Sequence, residues 1–446
     1  MKQLPLITRN DFDQVWIYNT DDQLTVGQVL HYARSLTLQL PGHKYCFLLC
    51  EQRTNFIIGF LAALCCGQTV LLPPSRSPEV LQSLVNDYSD SYCLTDTKTT
   101  ACVNTNQSDL VRYSYAAEIK SSITEVPLID SSHLACVVFT SGSSGKPTAN
   151  EKLWGDLVQG TKLLQIRFAT GEKDFLVATV PPQHMYGLEM TVLLPMLSTA
   201  SVYGGMPFFP EDIRRVLVLS GKPASLVTTP FHLRVCVQAG LRWSALRQII
   251  SATAPLSQED AVLAEMALDT ELKEIYGSTE SGAIASRNTA KEQEWSLYEN
   301  VRLFADDDNM RVIASHLPHR PQLSDRIELV DDTHFLMYGR LSDMIKIAGK
   351  RSSLADLNLK LNLIPGVEDG VFLQAETPSK GVSRLYAVVV APELSAADLI
   401  KILGRQVDPV FLPRQVFKVD TLPRNITGKL PRADTMDLLQ KLISRR

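Results

Sequence analysis

Apolar and polar positions come in blocks along this chain, and block length separates strands from helices. "YCFLLC" (Tyr45–Cys50) is an apolar run of strand length. "RTNFIIGFLAALCCG" (Arg53–Gly67) is an apolar run of helical length, and "QTVLLPP" (Gln68–Pro74) is a strand closed by two prolines. The rhythm continues through "DFLVATVPP" (Asp174–Pro182), "ASVYGG" (Ala200–Gly205), "ASLVTTP" (Ala224–Pro230) and "LRQIISA" (Leu246–Ala252), with helical stretches between them. Such alternation predicts an α/β fold with parallel and mixed sheets flanked by helices, whose ligands gather beyond the carboxyl ends of the strands.

From about Ala305 the texture changes to short strands with polar turns: "NMRVIAS", "DRIELV" and "THFLMYG" predict a small β subdomain. After "GRLSDMIKIAGKRSS" the last block reads as helix ("SLADLNLKLNLI"), strands ("GVFLQAE", "RLYAVVVAP"), helix ("SAADLIKILGRQV"), strand ("RQVFKVD") and a final helix. The expected organisation is a large N-terminal domain, residues 1–339, and a small α+β C-terminal domain, residues 340–446.

Composition narrows the function. With 446 residues, 45% hydrophobic and 21% charged, the chain has the make-up of a soluble globular protein with room for a sizeable core. A net charge of −4 gives no reason to expect a nucleic-acid surface. The longest apolar run, Phe56–Cys66, is about half of the roughly 20 residues a transmembrane helix needs, so no transmembrane segment is expected. The N-terminus lacks an apolar signal core. The eight cysteines show no CxxC pairing, which points to buried free thiols in a reducing cytoplasm.

Candidate chemistry starts at "VVFTSGSSGKPTANEKLW" (Val137–Trp154), where a small apolar run enters a loop of hydroxyls and glycines. Bare amides in such a loop form an anion cradle. The spacing is not that of the ATPase loop, because Gly142 and Gly145 are three apart and Pro147 follows Lys146. Three later stretches give the loop its context: "EIYGSTESG" (Glu274–Gly282), Asp325 with Arg340 fifteen residues on, and "LPRNITGKLPR" (Leu422–Arg432). Taken alone, "YGSTESG" also reads as a capped helix turn.

The order and spacing of these four motifs resemble the adenylate-forming ligases: acyl- and aryl-CoA synthetases, adenylation domains of peptide synthetases, and luciferases. The resemblance runs from about Val137 to the C-terminus and is closest in size to compact bacterial members. It implies ATP-dependent activation of an aryl or fatty acid to an acyl-adenylate, followed by transfer to the thiol of CoA or of an acyl carrier protein's phosphopantetheine. It also implies that Thr140, Ser141, Gly142, Ser143, Ser144 and Gly145 cradle the phosphates. Tyr276 would pack on adenine beside Gly277 and Ser278, Thr279 would donate to the α-phosphate, and Glu280 would hold Mg²⁺. Asp325 and Arg340 would bind the ribose, Lys429 would bridge the acyl carboxylate and the α-phosphate, and His184 would gate the acyl pocket. The family's C-terminal domain is mobile, with its pivot here at Ser342.

The chain departs from the family at several places, among them Ala149 where glycine is common and Ser342 where Asp or Lys is usual. Thr148 stands where a loop lysine is usual, leaving Lys146 or Lys152 to supply the charge, and Leu323-Ser324-Asp325 replaces Thr-Gly-Asp. These departures keep a second reading open, a non-catalytic relative that binds nucleotide or adenylate as a sensor or partner. An α/β hydrolase is disfavoured, since no GxSxG elbow with an Asp and His in order is present. The acyl pocket is expected to draw on Tyr186, Gly187, Gly277 and Ser278. Few charges occur in these turns, which favours an apolar or aryl acid, and Glu189, the one acidic residue near "QHMYGLEM", is set aside.

Overall fold

The structure is a computed structural model that describes residues 2–97, 109–116, 123–141, 147–244, 246–306, 309–340, 344–347, 350–376, 383–424 and 430–444. The chain groups into two compact units, one of residues 1–302 and 312–321, the other of residues 303–311 and 322–446.

The first unit is built on two large sheets, with a small pair of Gln3–Pro5 and Leu128–Asp130 in addition. One has six strands in the order Pro147–Leu153, Leu134–Ser141, Thr69–Leu72, Tyr45–Leu48, Ser91–Thr95 and Asp109–Arg112. Its interior pairs are parallel, and the edge pair formed by β1 (Leu134–Ser141) and β2 (Pro147–Leu153) is an antiparallel hairpin. The "RTNFIIGFLAALC" helix is buried along its whole length from Arg53 to Leu64, as an all-round apolar helix must be. The wholly buried Arg53 is answered by Thr191 Oγ1 at 3.1 Å and the carbonyls of Val180 at 2.8 Å and Tyr203 at 3.0 Å, and it also meets Gly205. Hydrogen bonding of this density is what lets a charge sit in a core.

In the other sheet a parallel run joins Val15–Tyr18, Ser201–Tyr203, Phe175–Ala178, Ala224–Thr228, Leu246–Ser251 and Leu272–Ser278. Short branched runs such as "SLVT" pack their side chains into a core that includes Phe175, Leu226, Ile249 and Leu272. Antiparallel strands finish both ends of the run, Gln23–Thr25 at one and Gly282–Arg287 with Trp295–Leu297 at the other.

Because the central strands run in one direction, their carboxyl ends lie along one edge. That edge carries the segments after Ala178, Thr228, Ser251 and Ser278, the place where such folds bind ligands.

The second unit holds the expected short strands, with Asn309–Ile313 antiparallel to Gln322–Leu323 and Asp325–Leu329 antiparallel to His334–Arg340. A three-stranded sheet follows, of Asp369–Glu376, Ser383–Val390 and Gln415–Lys418, with helices Leu354–Asn362, Ala396–Leu403 and Arg432–Ser444. Its own core, around Phe372, Ala387, Val389, Leu399 and Leu403, makes it a unit in the physical sense. The α/β fold class read from the sequence is the one observed.

Among the described residues no helix is long and apolar enough to cross a membrane. Seven cysteines are described and all seven are free thiols; Cys65 and Cys66 are exposed rather than buried, since their helix ends there.

Candidate active site

The hydroxyl-rich loop is held between the arms of a hairpin. Thr140, half-buried at the end of β1, pairs with Thr148, and Ser141 pairs with Pro147. Gly142, Ser143, Ser144, Gly145 and Lys146 lie outside the described residues, as do Ser342, Gly428, Lys429 and the side chains of Ser141 and Arg340.

The second motif is the turn between β3 (Leu272–Ser278) and β4 (Gly282–Arg287), and hydroxyls tie it together. Ser278 N–H donates to Ser281 Oγ at 3.1 Å, and Ser281 N–H donates back to Ser278 Oγ at 3.2 Å. The reading of this stretch as a capped helix turn is therefore overturned. It is a hairpin turn, and the reciprocal serine bonds replace the caps of a helix. Gly277 is required here because a Cβ would sit 2.2 Å from the Gly282 carbonyl oxygen, a backbone atom that cannot yield. The result is a tight tip that presents Thr279, half-buried, and Glu280, exposed. Tyr276 is 8% exposed, its ring centroid 5.5 Å from that of Trp295.

The turn after Leu246–Ser251 adds two irregularities. Thr253 has φ of +84°, a costly conformation for a β-branched residue. The Ser251 hydroxyl is buried without a hydrogen-bond partner. Strain and an orphaned hydroxyl at the carboxyl edge of a parallel sheet mark a place shaped for something besides folding.

His184 is half-buried and precedes a short helix, α1 (Met185–Leu188), with Leu188 N–H donating to its carbonyl at 2.8 Å. Tyr186 is committed elsewhere, since its phenol donates to Ile250 O at 2.8 Å and Thr228 O at 3.3 Å. In the second unit, Asp325 and Arg340 are cross-strand partners of one antiparallel pair. The fifteen-residue spacing is thus the length of a hairpin that returns to its start.

A family model described as "AMP-binding enzyme" matches residues 16–316. The chain belongs to the AMP-binding enzyme family. It is 26% identical over 72% of its length to "4-coumarate--CoA ligase-like 6" of Arabidopsis thaliana, and 27% identical over 60% of its length to "4-coumarate--CoA ligase" of Rhodobacter capsulatus. The matches span 65% and 66% of those two proteins, so the chain covers slightly less than two-thirds of these curated relatives. Its fold is that of an O-succinylbenzoate coenzyme A synthetase from Bacillus subtilis in complex with ATP and magnesium ion, with a TM-score of 0.83, 16% identity, and 98% and 100% of the two chains covered.

In this family member two residues near the turn take places that the sequence did not give them: Lys152, named there as a source of the loop charge, and Glu189, set aside there. Lys152, on β2, is 8% exposed, and its Nζ donates to the carbonyl of Glu280 at 3.0 Å. It is built into the support of the candidate metal residue. Glu189, set aside on the sequence, is also 8% exposed, and it opens a π-helical turn, Glu189–Leu193. Turns of this kind recur at functional sites. Its Oε1 accepts from Ala283 N–H at 3.1 Å. Burial pushes the Glu189 carboxyl up to about 7 and draws the Lys152 ammonium below its ordinary value, each partly offset by the other's charge. A pocket here is lined by Lys152, Met185, Glu189, Leu193, Gly282 and His316 among others. An acidic residue inside the apolar run "MYGLEMTVLLPM" was the available signal.

Proposed function

We propose that this protein activates a carboxylic acid with ATP and passes the acyl group to a thiol. In the first half-reaction a carboxylate oxygen attacks the α-phosphorus, the bond to the bridging oxygen breaks, and pyrophosphate leaves. In the second, a thiolate attacks the acyl carbon, the acyl–oxygen bond breaks, and AMP leaves.

The observation that carries this reading is the convergence, on one edge of the parallel sheet, of the strained Ser251–Pro255 segment and the Tyr276–Glu280 hairpin tip, with the latter held by Lys152 from the Thr140 hairpin. The orphaned Ser251 hydroxyl and the exposed Glu280 carboxylate fit a nucleotide with a hard divalent cation. Thr140, Ser141, Gly142, Ser143, Ser144 and Gly145 would cradle the phosphates, and Tyr276, Gly277 and Ser278 would flank adenine. Thr279 would meet the α-phosphate, Glu280 would hold Mg²⁺, and Asp325 and Arg340 would take the ribose. Lys429 would arrive as the cation that joins two anions, the main electrostatic difficulty of the reaction. Mg²⁺, held by Glu280, would supply charge neutralisation on the leaving phosphates.

Residues 340–446 are proposed as the part that changes orientation between half-reactions. An aryl acid is proposed ahead of a long fatty chain. The coumarate-ligase relatives support both the aryl acid and CoA as acceptor. A carrier-protein thiol is the second acceptor to test, and the cytoplasm is the compartment proposed.

The test is pyrophosphate release with ATP, Mg²⁺ and a panel of short, long-chain, benzoic and cinnamic acids. Release should depend on one acid class and fall at least 100-fold in Lys429→Ala and in Glu280→Gln. Silence across the panel with ATP still bound would overturn the ligase reading in favour of a nucleotide-binding relative without catalysis.

A further inference from the structure

The pocket behind the Thr279–Glu280 tip has charged walls that the adenylation chemistry leaves unused. It is a cavity of about 30 Å³, lined by Lys152, Asp156, Glu189, Gly282 and His316 together with apolar side chains. Its size admits one or two groups no larger than a water molecule. Lys152 and Glu189, each 8% exposed, face the same cavity from different elements, β2 and the π-helical turn. Their hydrogen bonds go to the Glu280 carbonyl and the Ala283 amide rather than to each other. An ammonium carries three donors and a carboxylate about four acceptor sites, so each has capacity left on the cavity side.

The chemistry of what fits follows from the two charges. A second carboxylate on the substrate would satisfy Lys152 and oppose Glu189. An ammonium would do the reverse. A methyl or bare ring edge would cover both charged groups without pairing either, which is costly for buried ions. A hydroxyl accepts from one and donates to the other in the space of a single oxygen. We propose that Lys152 and Glu189 form a recognition pair for an uncharged hydroxyl carried by the acid substrate, away from its reacting carboxylate.

The surrounding groups agree. Burial lowers His316 to about 4, so its ring is neutral at neutral pH, and Asp156, from the helix after β2, adds negative charge toward Lys152. Gly282 has φ of +65° and leaves room for the carboxylate: a Cβ there would stand 2.6 Å from Glu189 Oε1. Lys152 touches both the cavity and the Glu280 carbonyl, so occupancy of the cavity bears on the turn that carries the candidate metal residue.

This inference rests on the acid-activating reading, and its test separates the two. Wild-type protein is assayed for ATP-dependent pyrophosphate release, and for binding by calorimetry, with benzoate, 3- and 4-hydroxybenzoate, 4-methylbenzoate, terephthalate and 4-(aminomethyl)benzoate, and with cinnamate and its hydroxylated forms. A hydroxylated acid should exceed its parent and its methyl analogue at least tenfold in kcat/KM, because unpaired buried polar groups penalise the analogue that lacks the hydroxyl. The isosteric Glu189→Gln and the volume-preserving Lys152→Met should each reduce that ratio at least threefold. Lys152→Met should in addition lower kcat for every acid by loosening the Glu280 turn. Turnover without hydroxyl preference, or preference for the dicarboxylate, the amine or the methyl analogue, overturns the proposal and leaves the ligase reading intact. A ratio unchanged in both variants overturns it as well. If no acid turns over, calorimetry decides, and hydroxylated acids that bind no better than their parents reject the recognition pair.

Discussion

Among the described residues two glutamates of the first unit are buried, and their surroundings differ. Glu274 on β3 is saturated. Arg287 gives it two N–H bonds at 3.1 and 2.9 Å, Thr289 gives a hydroxyl at 2.8 Å, and the Leu256 amide a bond at 3.1 Å. Burial raises its carboxyl, while Arg287, Thr289 and Leu256 pull it back. Glu189 has the Ala283 amide and a lysine that bonds elsewhere, and burial carries it up to about 7. A carboxylate inside a fold is either closed off by donors or kept open toward a cavity. The first arrangement belongs to the scaffold and the second to a site.

Breaking the saturated pair should produce the largest effect. Arg287→Ala leaves Glu274 as a buried charge without its cation, a loss of about 3–5 kcal/mol for such pairs. A urea titration should show the midpoint move down at unchanged slope. A loss no greater than that from an exposed pair such as Lys291–Glu271 would mean that Glu274 is not the closed carboxylate described.

The open glutamate should respond with the opposite sign. Its folded pKa of about 7 lies above the ordinary 4.5 that it regains on unfolding. Between those values the unfolded chain releases a proton that the folded chain keeps, so stability falls as pH rises through the window. Below the ordinary value the carboxyl is neutral in both states and costs nothing on this account. Above about 7 the penalty is complete, on the order of 3 kcal/mol. Glu189→Gln removes it, while Asp156 still faces Lys152. The melting temperature of the variant should therefore match wild type near pH 5 and exceed it near pH 8. A variant less stable at pH 8 would make Glu189 a structural ion and remove the contrast with Glu274.

Much of the scaffold was legible because it rests on local signals. Runs such as "YCFL", "SLVT" and "LRQIIS" are strands, and the all-apolar helix is buried on every side. The site was legible in part. The small residues of "YGSTESG" announced a turn, yet the choice between hairpin and helix cap depended on β4 pairing back onto β3, which local sequence does not encode. Lys152 lies in the polar segment "PTANEKL" and turns inward only because β2 is a hairpin arm on a sheet edge. Glu189 was visible as an acidic residue in an apolar run and was set aside as a partner for a substrate ammonium, while Lys152, which faces the same cavity, lies on a strand far away in the chain. Long-range pairing of charges is the part that a pattern along one chain conceals.

The smallest effect tests the contact that keeps Glu189 in place. Gly277 and Gly282 both refuse a side chain, for different reasons. At Gly277 the obstacle is the backbone oxygen of Gly282, whereas at Gly282 it is Glu189 Oε1, added to a left-handed φ of +65°. Gly282→Ala should cost about 1–2 kcal/mol for the backbone conformation alone. The clash with the carboxylate adds a part that disappears when the carboxylate does. A double-mutant cycle of Gly282→Ala with Glu189→Ala should return a coupling of about 1 kcal/mol, as expected for residues in direct contact. The same cycle with Gly277→Ala should return almost none, because its clash is with the main chain. Equal couplings in the two cycles would mean that the carboxylate is not lodged against Gly282, and the room that this glycine leaves for Glu189 at the cavity would lose its support.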